Sequence, residues 1–484
     1  MAKTKIKDIV VILPGITGSV LQKDGKDFWG ASARAIFELI KSGGKNLQQL
    51  KLEGEDSKGD YYGDGIKANR LVGDALIIPG LIKILDGYST TSKLITDNFE
   101  VIEGNIYQDE EKPANFFPFP YDWRRDNRIN AEILKRLLSK KLQKWRESEN
   151  SEAKVVLLAH SMGGLISRYY LEVLGGWKDC RALFTFGTPY RGSLDAVNFI
   201  ANGFKKASID LSEVMRSLLS VYQLLPTYEI LQYEGKDYRL AEIPVALPNF
   251  NDKLLKDAAK FHNEISSAVE TNKKEPGYSY ITVPVLGIRQ TTLQSAVLEN
   301  GRVTTAATLP DILQGRLDLA SGDGTVPEFS AYPPEFNPND IFIARSIAEK
   351  HGALQAQEQI LEDIKEILER YQFDTSKIKG SLRGRGKKAI DLLLEDVYFT
   401  DEEITITAKS NIDATNKLTA SIICVSESRE PVSQEFQKTN NIWTLTVKDL
   451  QPGLYQITVS DNSNEATSVN DLFLVSKKSD LQAL

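Results

Sequence analysis

An unbroken apolar run, Val155-Val156-Leu157-Leu158-Ala159, ends at His160-Ser161, and a helical apolar pattern (Leu165, Ile166, Tyr169, Leu171, Leu174) starts directly behind Met162-Gly163-Gly164. A run that is apolar on both faces fits a strand buried inside a parallel sheet, and the spacing behind it fits a helix packed on that sheet. The stretch reads as strand, sharp turn, helix, with Ser161 at the apex. A turn of this form, G-x-S-x-G, holds a serine hydroxyl exposed at the top of a sheet, where it serves as a nucleophile. Ala159 takes the first small position. The plainer reading is a buried strand whose serine caps the next helix. A nucleophile also needs a base, an acid and a site for negative charge, so the rest of the chain decides between the two.

A chain of 484 residues suggests two or three domains. Its 41% hydrophobic and 26% charged residues are those of a soluble globular protein, and a net charge of −7 gives no general attraction to nucleic acid. Cys180 and Cys424 lie far apart and build no disulfide framework, which fits a reducing compartment. The first residues are basic, but the apolar segment after them runs only from Ile9 to Leu13, shorter than the roughly 7–15 residues of a secretory core. It is read as a first strand. No apolar run approaches the roughly 18 residues of a membrane span. The expected location is the cytoplasm, with peripheral contact at the inner membrane face.

Ile9–Leu13 leads into Pro14-Gly15-Ile16-Thr17-Gly18-Ser19. In sheets carrying a serine turn, the loop after an early strand supplies one backbone N–H of the oxyanion hole and the residue after the serine supplies the other. The amides of Ile16 and Met162 are therefore the candidates. The alternative for the first loop is an ordinary Gly-rich turn. Residues 28–107 lack strong strand alternation and contain an interrupted apolar patch from Leu71 to Leu85, either a lipid-touching cap or a packed element. A charged amphipathic helix is expected from Asn130 to Glu149, with Ile133, Leu134, Leu137, Leu138, Leu142 and Trp145 on one face. Ala182–Phe186 is the next strand. Residues 194–270 read as helices, either a lid or further core, and Pro284 marks Tyr280–Ile288 as a strand near an edge.

Three histidines compete for the role of base. His160 adjoins the serine and points to the other side of its strand, and His262 lies in a helical pattern over residues 253–268. His351 follows Asp323 by 28 residues, and Asp323 sits between glycines in Gly322-Asp323-Gly324. Read alone, that segment is an Asx-type turn. The order Ser161, Asp323, His351 is nevertheless the Ser…Asp…His order of the α/β-hydrolase fold. The expected fold class is thus α/β, a mostly parallel sheet with helices on both faces and cap or lid insertions at about 28–107 and 200–270.

After the last long helix comes a basic, Gly-punctuated stretch, Lys377 to Lys388, read as a solvated linker or as a contact for anionic lipid headgroups. From about Val397 short alternating strands take over: 403–408, 419–425, 442–447 and 454–459. Roughly 90 residues of this kind argue a second, all-β domain, an immunoglobulin-like sandwich. The expected division is 1–375 catalytic, 376–394 linker and 395–484 sandwich.

With these motifs placed, the first ~370 residues resemble the lecithin:cholesterol acyltransferase family, which includes phospholipid:diacylglycerol acyltransferases, lysosomal phospholipase A2 and bacterial relatives. The resemblance rests on Pro14–Ser19, Pro120-Tyr121-Asp122-Trp123-Arg124, Ala159–Gly164, Gly187-Thr188-Pro189, Tyr222–Pro226 and Gly322–Pro327. It implies an acyl-enzyme mechanism on glycerolipid esters, with no metal or other cofactor. The chain departs from the animal secreted members in lacking a cysteine-bridged membrane loop, since no cysteine falls in 28–107. The expectation is a phospholipase- or lipase-like hydrolase using Ser161, Asp323 and His351, with no nucleic-acid partner. The alternatives are an acyltransferase to an alcohol acceptor and a catalytically inactive lipid- or partner-binding protein. The sandwich is expected to gate the enzyme, dock a protein partner or oligomerise.

Overall fold

The computed structural model describes residues 3–30, 32–35, 45–54, 59–73, 75–78, 82–109, 112–148, 150–203, 205–206, 209–210, 212–336, 343–371, 388–412, 416–440 and 442–478. Six strands form one wholly parallel sheet: β1 (Ile9–Leu13), β2 (Phe116–Pro118), β3 (Val155–His160), β4 (Cys180–Phe186), β5 (Ile281–Gly287) and β6 (Arg345–Ile347). They are apolar on both faces because both faces are covered. Val10, Ile12, Val156 and Leu158 pack with Ile95, Ile360 and Ile364 on one side, while Ile9, Val11, Leu157 and Ala159 pack with Leu134, Leu138 and Ile166 on the other.

The strand order is β2-β1-β3-β4-β5-β6. The chain steps outward from β1 to β2 and then returns to the other side of β1, so the direction of winding switches between β1 and β3. In open α/β sheets the ligand crevice lies beyond the carboxyl ends of the strands at such a switch. The Pro14–Ser19 loop and Ser161 both emerge there.

The helices flanking the sheet are α1 (Ser89–Asn98), α2 (Asn127–Ser148), α3 (Met162–Arg168), α4 (Leu194–Asn202), α5 (Asp252–Asn272) and α6 (Glu358–Tyr371). α2 buries the expected stripe from Ile133 to Trp145. Each large apolar side chain so buried contributes roughly 1.5–3 kcal/mol. Pro284 sits opposite Thr185 on β4, while β6 joins β5 only from Val285 onward, so the residue that lacks an N–H lies where its strand still has one neighbour.

One region decides between the alternatives that the sequence left open, and another differs from the sequence reading. The patch over residues 71–85 contains a hairpin, Leu76–Ile78 with Ile82–Ile84, whose Leu76, Ile77 and Ile84 are fully buried, so these residues are packed rather than offered to lipid. Asp74 and residues 79–81 of the patch lie outside the described residues. Within 200–270, read as helices with a long aromatic-bearing section between Leu211 and Tyr233, Leu231–Tyr233 and Lys236–Tyr238 form a hairpin that extends through Ser295–Glu299 and Arg302–Ala306 into a four-stranded sheet. Its turn is Glu234-Gly235, both with positive φ, the geometry that a two-residue hairpin requires.

The C-terminal unit is all-β. One sheet has the order β7 (Ile390–Leu393), β9 (Ile404–Ser410), β13 (Ile442–Val447), β12 (Gln437–Thr439), and the other β8 (Val397–Phe399), β15 (Val469–Ser476), β14 (Gly453–Asp461), β10 (Leu418–Cys424), β11 (Val432–Glu435). Inward residues of both sheets, including Ile406, Ile422, Trp443, Ile457 and Phe473, share one core. β7 falls inside the span expected as linker, so the strands begin by Ile390. The basic stretch at 377–387 lies outside the described residues.

Candidate active site

Ser161 occupies the apex of the β3–α3 turn with φ 49 and ψ −120, a conformation that a non-glycine residue rarely adopts and that persists only where the surroundings enforce it. The enforcing contacts are local. The Ser161 N–H donates to the Phe186 carbonyl, and the Ser161 carbonyl accepts from Gly164 N and Thr188 Oγ1. A Cβ on Gly163 would stand 2.4 Å from the Pro14 carbonyl oxygen, and one on Gly164 would stand 1.9 Å from Thr188 Oγ1. The small residues after the serine therefore let α3 pass against the loop of β1 and the loop of β4.

The structure brings the three widely separated candidates together. His351 Nε2 lies 3.0 Å from Ser161 Oγ, and His351 Nδ1 lies 2.7 Å from Asp323 Oδ2. Asp323 Oδ1 accepts from the amides of Thr325 and Val326, and the Asp323 carbonyl accepts from the His351 amide. Both carboxylate oxygens are thus fixed, and the second faces the imidazole. With Asp323 accepting the Nδ1 proton, Nε2 carries the free lone pair toward Ser161. Ser161, Asp323 and His351 are 4%, 1% and 3% exposed, so the group is withdrawn from bulk solvent, where electrostatic interactions are stronger.

The candidate oxyanion amides, Ile16 and Met162, lie in the loop after β1 and at the start of α3, on either side of the serine. Among the described residues neither donates to another protein acceptor. The loop carrying Ile16 is held from several directions. Tyr121 Oη donates to the Pro14 carbonyl at 2.7 Å, Trp29 Nε1 donates to the Thr17 carbonyl at 3.0 Å, and the Gly15 amide donates to Tyr88 Oη at 2.7 Å. Tyr121 is the tyrosine of the Pro-Tyr-Asp-Trp-Arg segment. Arg124 of the same segment is fully buried and pairs with Asp122 and Asp64. The motif is legible in the sequence, but its task is not.

The histidine on Ser161 Oγ is His351 and not His160, yet His160 packs into the candidate site. Its Nδ1 lies 3.0 Å from Tyr88 Oη and its Nε2 lies 3.2 Å from the His351 carbonyl oxygen. Because Tyr88 already accepts from Gly15, its hydroxyl proton points at Nδ1, which leaves Nε2–H to donate to His351. Burial, and then the neighbouring His351, hold the His160 pKa well below the usual histidine value, so the ring is neutral. His262, the third histidine, is buried beside the Gln223 carbonyl, and burial lowers its pKa to about 4.

Several positioning groups were not singled out from the sequence. A Cβ on Gly187 (φ 56) would lie 2.8 Å from His351 Nδ1 and 2.9 Å from Asp323 Oδ2. Gly187-Thr188-Pro189 was legible as a segment, but not the reason for its glycine. A cleft of about 510 Å³ opens on the Asp323 and His351 side, between the catalytic unit and β7, with Lys83, Asp195, Lys350 and Leu393 in its walls. Ser161 does not line it, so it is not the space above the serine hydroxyl. Burial, followed by the charges of Asp323 and Asp396, pushes the Asp195 pKa well above the carboxylate range. Among the described residues no group of three or more His, Cys, Asp or Glu side chains is gathered to hold a metal ion.

Comparison with known proteins finds what these features resemble. The family model described as Lecithin:cholesterol acyltransferase matches residues 88–279, from the start of α1 to beyond α5. The chain is similar to the lecithin:cholesterol acyltransferase family. The human "Lysosomal phospholipase A and acyltransferase" is 30% identical over 118 residues, 22% of this chain and 27% of that protein, so the match spans about a quarter of the relative's length. Among solved structures, the Bacillus licheniformis lipase BlEst2 aligns in its mature form over 76% of this chain and 94% of its own at 13% identity and a TM-score of 0.33. Its propeptide form aligns over 98% and 94% at 11% identity and a TM-score of 0.35.

Proposed function

We propose that this chain is a serine hydrolase of glycerolipid acyl esters. The observation that carries the reading is the hydrogen-bonded series Ser161 Oγ, His351 Nε2, His351 Nδ1, Asp323 Oδ2, at 3.0 and 2.7 Å. Ser161 Oγ attacks the ester carbonyl while His351 accepts its proton. Asp323 orients the imidazole and stabilises the imidazolium. The carbonyl oxygen, now negative, is taken by the amides of Ile16 and Met162, a kind of contact contributing about 3 kcal/mol per donor to the transition state. His351 then delivers its proton to the departing alkoxide, which leaves an acyl group on Ser161. Water activated by His351 attacks the acyl-enzyme, and the fatty acid departs.

The similarity to a family and a relative named for acyl transfer supports a second reading, in which an alcohol replaces water in the last step. Both readings use every residue above. We propose that the encounter with lipid is a peripheral contact; among the described residues no helix is long and apolar enough to cross a membrane. Two free, buried cysteines support a cytoplasmic setting.

The test is mass-spectrometric analysis of products from mixed phospholipids, with and without an added alcohol, alongside labelling by a fluorophosphonate. Wild-type protein should label at Ser161 and release fatty acid, and Ser161→Ala should do neither. Alkyl ester formed at the expense of fatty acid would favour transfer. Absence of labelling and turnover in the wild type would leave the inactive binding protein as the better reading.

A further inference from the structure

We infer that the C-terminal sandwich is a working part of the active site, holding the loops of Asp323 and His351 in register through three anchors, Gln290, Glu349 and Lys83. The inference rests on the reading of Ser161, Asp323 and His351 as the reacting groups. Each anchor grips a loop that carries or touches that group: Gln290 is held by β7, while Glu349 and Lys83 are held side by side on β15 by Asn470 and Asp471, with Asp396 also on Lys83.

Gln290 is fully buried just beyond the end of β5. Its backbone exchanges hydrogen bonds with Gly322, the residue before Asp323. Its side-chain amide does the same with β7: Nε2 donates to the Ile390 carbonyl at 2.8 Å, and Oε1 accepts from the Leu392 amide at 3.3 Å. The amide thus acts as one more rung between the acid loop and the sandwich sheet. Next to it, Asp391 accepts from the Thr291 amide and hydroxyl at 2.9 and 2.6 Å.

Glu349, two residues before His351, is 1% exposed. Its oxygens accept from the Asn470 amide and from Asn470 Nδ2, each at 3.1 Å, and Oε1 also accepts from the Lys350 amide. Its carboxylate therefore ties the approach to the base onto β15. Lys83 pairs with Asp396 at 2.8 Å and Asp471 at 3.2 Å, both in the sandwich. The backbone there is packed against the base loop: Leu85 N donates to the Gly352 carbonyl, and a Cβ on Gly352 would lie 1.8 Å from the Lys83 carbonyl oxygen.

A sandwich that merely gated the site from above would meet the rim of the pocket. Here its contacts converge behind the acid and the base, on buried polar groups that need these partners. A reacting geometry is sensitive to displacements of the order of 1 Å, which cost up to about a hundredfold in rate. The sandwich acts as the fixed side of the site.

The test uses the full chain. At pH 8, where Glu349 is ionised, Asn470→Asp sets two carboxylates against each other across the seam, and Glu349→Gln/Asn470→Asp exchanges donor for acceptor and restores a bond. Asn470→Asp should lower kcat for a soluble short-chain ester about tenfold with KM within twofold, slow fluorophosphonate labelling in proportion, and weaken the downfield proton resonance of His351 Nδ1. The double variant should regain most of both. Lys417→Ala, which removes an exposed pair with Glu435, should behave as wild type. Circular dichroism and thermal melting confirm folding of each variant. Unchanged kcat in a folded Asn470→Asp, a rise in kcat, or no recovery in the double variant would overturn the inference. A wild type without turnover or labelling would instead overturn the enzymatic reading, and the His351 resonance would still report whether the seam sets the geometry.

Discussion

At the residue scale, the candidate site is a set of backbone positions fixed by buried side chains from elsewhere in the chain. Tyr88 is the sharpest case. It accepts from Gly15 in the oxyanion loop and donates to His160, which donates to the backbone of His351, so one hydroxyl ties the oxyanion loop to the base. Tyr88→Phe keeps the ring and its packing but leaves a buried N–H and a buried imidazole nitrogen without partners, at a cost of about 1–3 kcal/mol each. We expect kcat to fall about tenfold with KM within twofold, less than the 10²–10³ lost when an oxyanion donor itself is removed. Steady-state kinetics on a soluble ester and urea unfolding check it. Lost stability with kcat intact would reduce Tyr88 to packing. None of this was legible in the sequence, where His160 read as a bystander facing away and Tyr88 carried no signal. The residues proposed to react could be nominated from the sequence because each sits in a local pattern: a small-residue turn, an aspartate between glycines, a histidine left by elimination. Tyr88 has no pattern of its own, since its importance comes from a contact 72 residues away.

At the element scale, what the sequence disclosed tracks periodicity. The parallel strands and α2 were visible as apolar runs and a helical stripe, and four sandwich strands as alternation. β15 (Val469–Ser476) was missed because it does not alternate: six of its last six residues are buried, the pattern of a strand covered on both sides. It is covered because it lies at the seam. The hairpin at 231–238 was missed because its strands are three residues each, too short for a period to appear, and only Glu234-Gly235 marked the turn. The loop after β4 poses the opposite case, a visible motif with a hidden reason. Gly187 has φ 56, and the space where a Cβ would stand holds the hydrogen-bonded edge of His351 and Asp323. Gly187→Ala should therefore force that pair apart and lower kcat at least a hundredfold, while far-UV circular dichroism stays that of the wild type. An active, folded Gly187→Ala would mean that the acid and base tolerate displacement, and the proposed roles would need revision.

At the scale of the whole molecule, the two units meet through buried polar groups as well as apolar side chains, Val397, Leu472 and Leu474 of the sandwich sharing a buried cluster with the first unit, and one of the polar groups titrates. Burial raises the Glu349 carboxyl from 4.5 to about 7, against the hydrogen bonds that it receives from Lys350 and Asn470, with the nearby charge of Asp471 adding to the rise. A carboxyl with a raised folded-state pKa favours folding while it is protonated. That contribution is fully present below the unfolded value of 4.5 and is lost as pH climbs through about 7. Over this interval the loss amounts to about 3 kcal/mol, and Glu349→Gln, which cannot ionise, should not suffer it. Other groups titrate in both proteins alike, among them His262, whose depressed pKa acts with the opposite sign. The useful quantity is therefore the difference between wild type and variant. Urea unfolding at pH 5 and pH 8 should show wild type losing about 3 kcal/mol relative to Glu349→Gln on going to the higher pH. Parallel curves would mean that Glu349 is already ionised at pH 5, stabilised by Asn470 and the lysines around it. In that case the sandwich would grip the base loop through a charged carboxylate over the whole range.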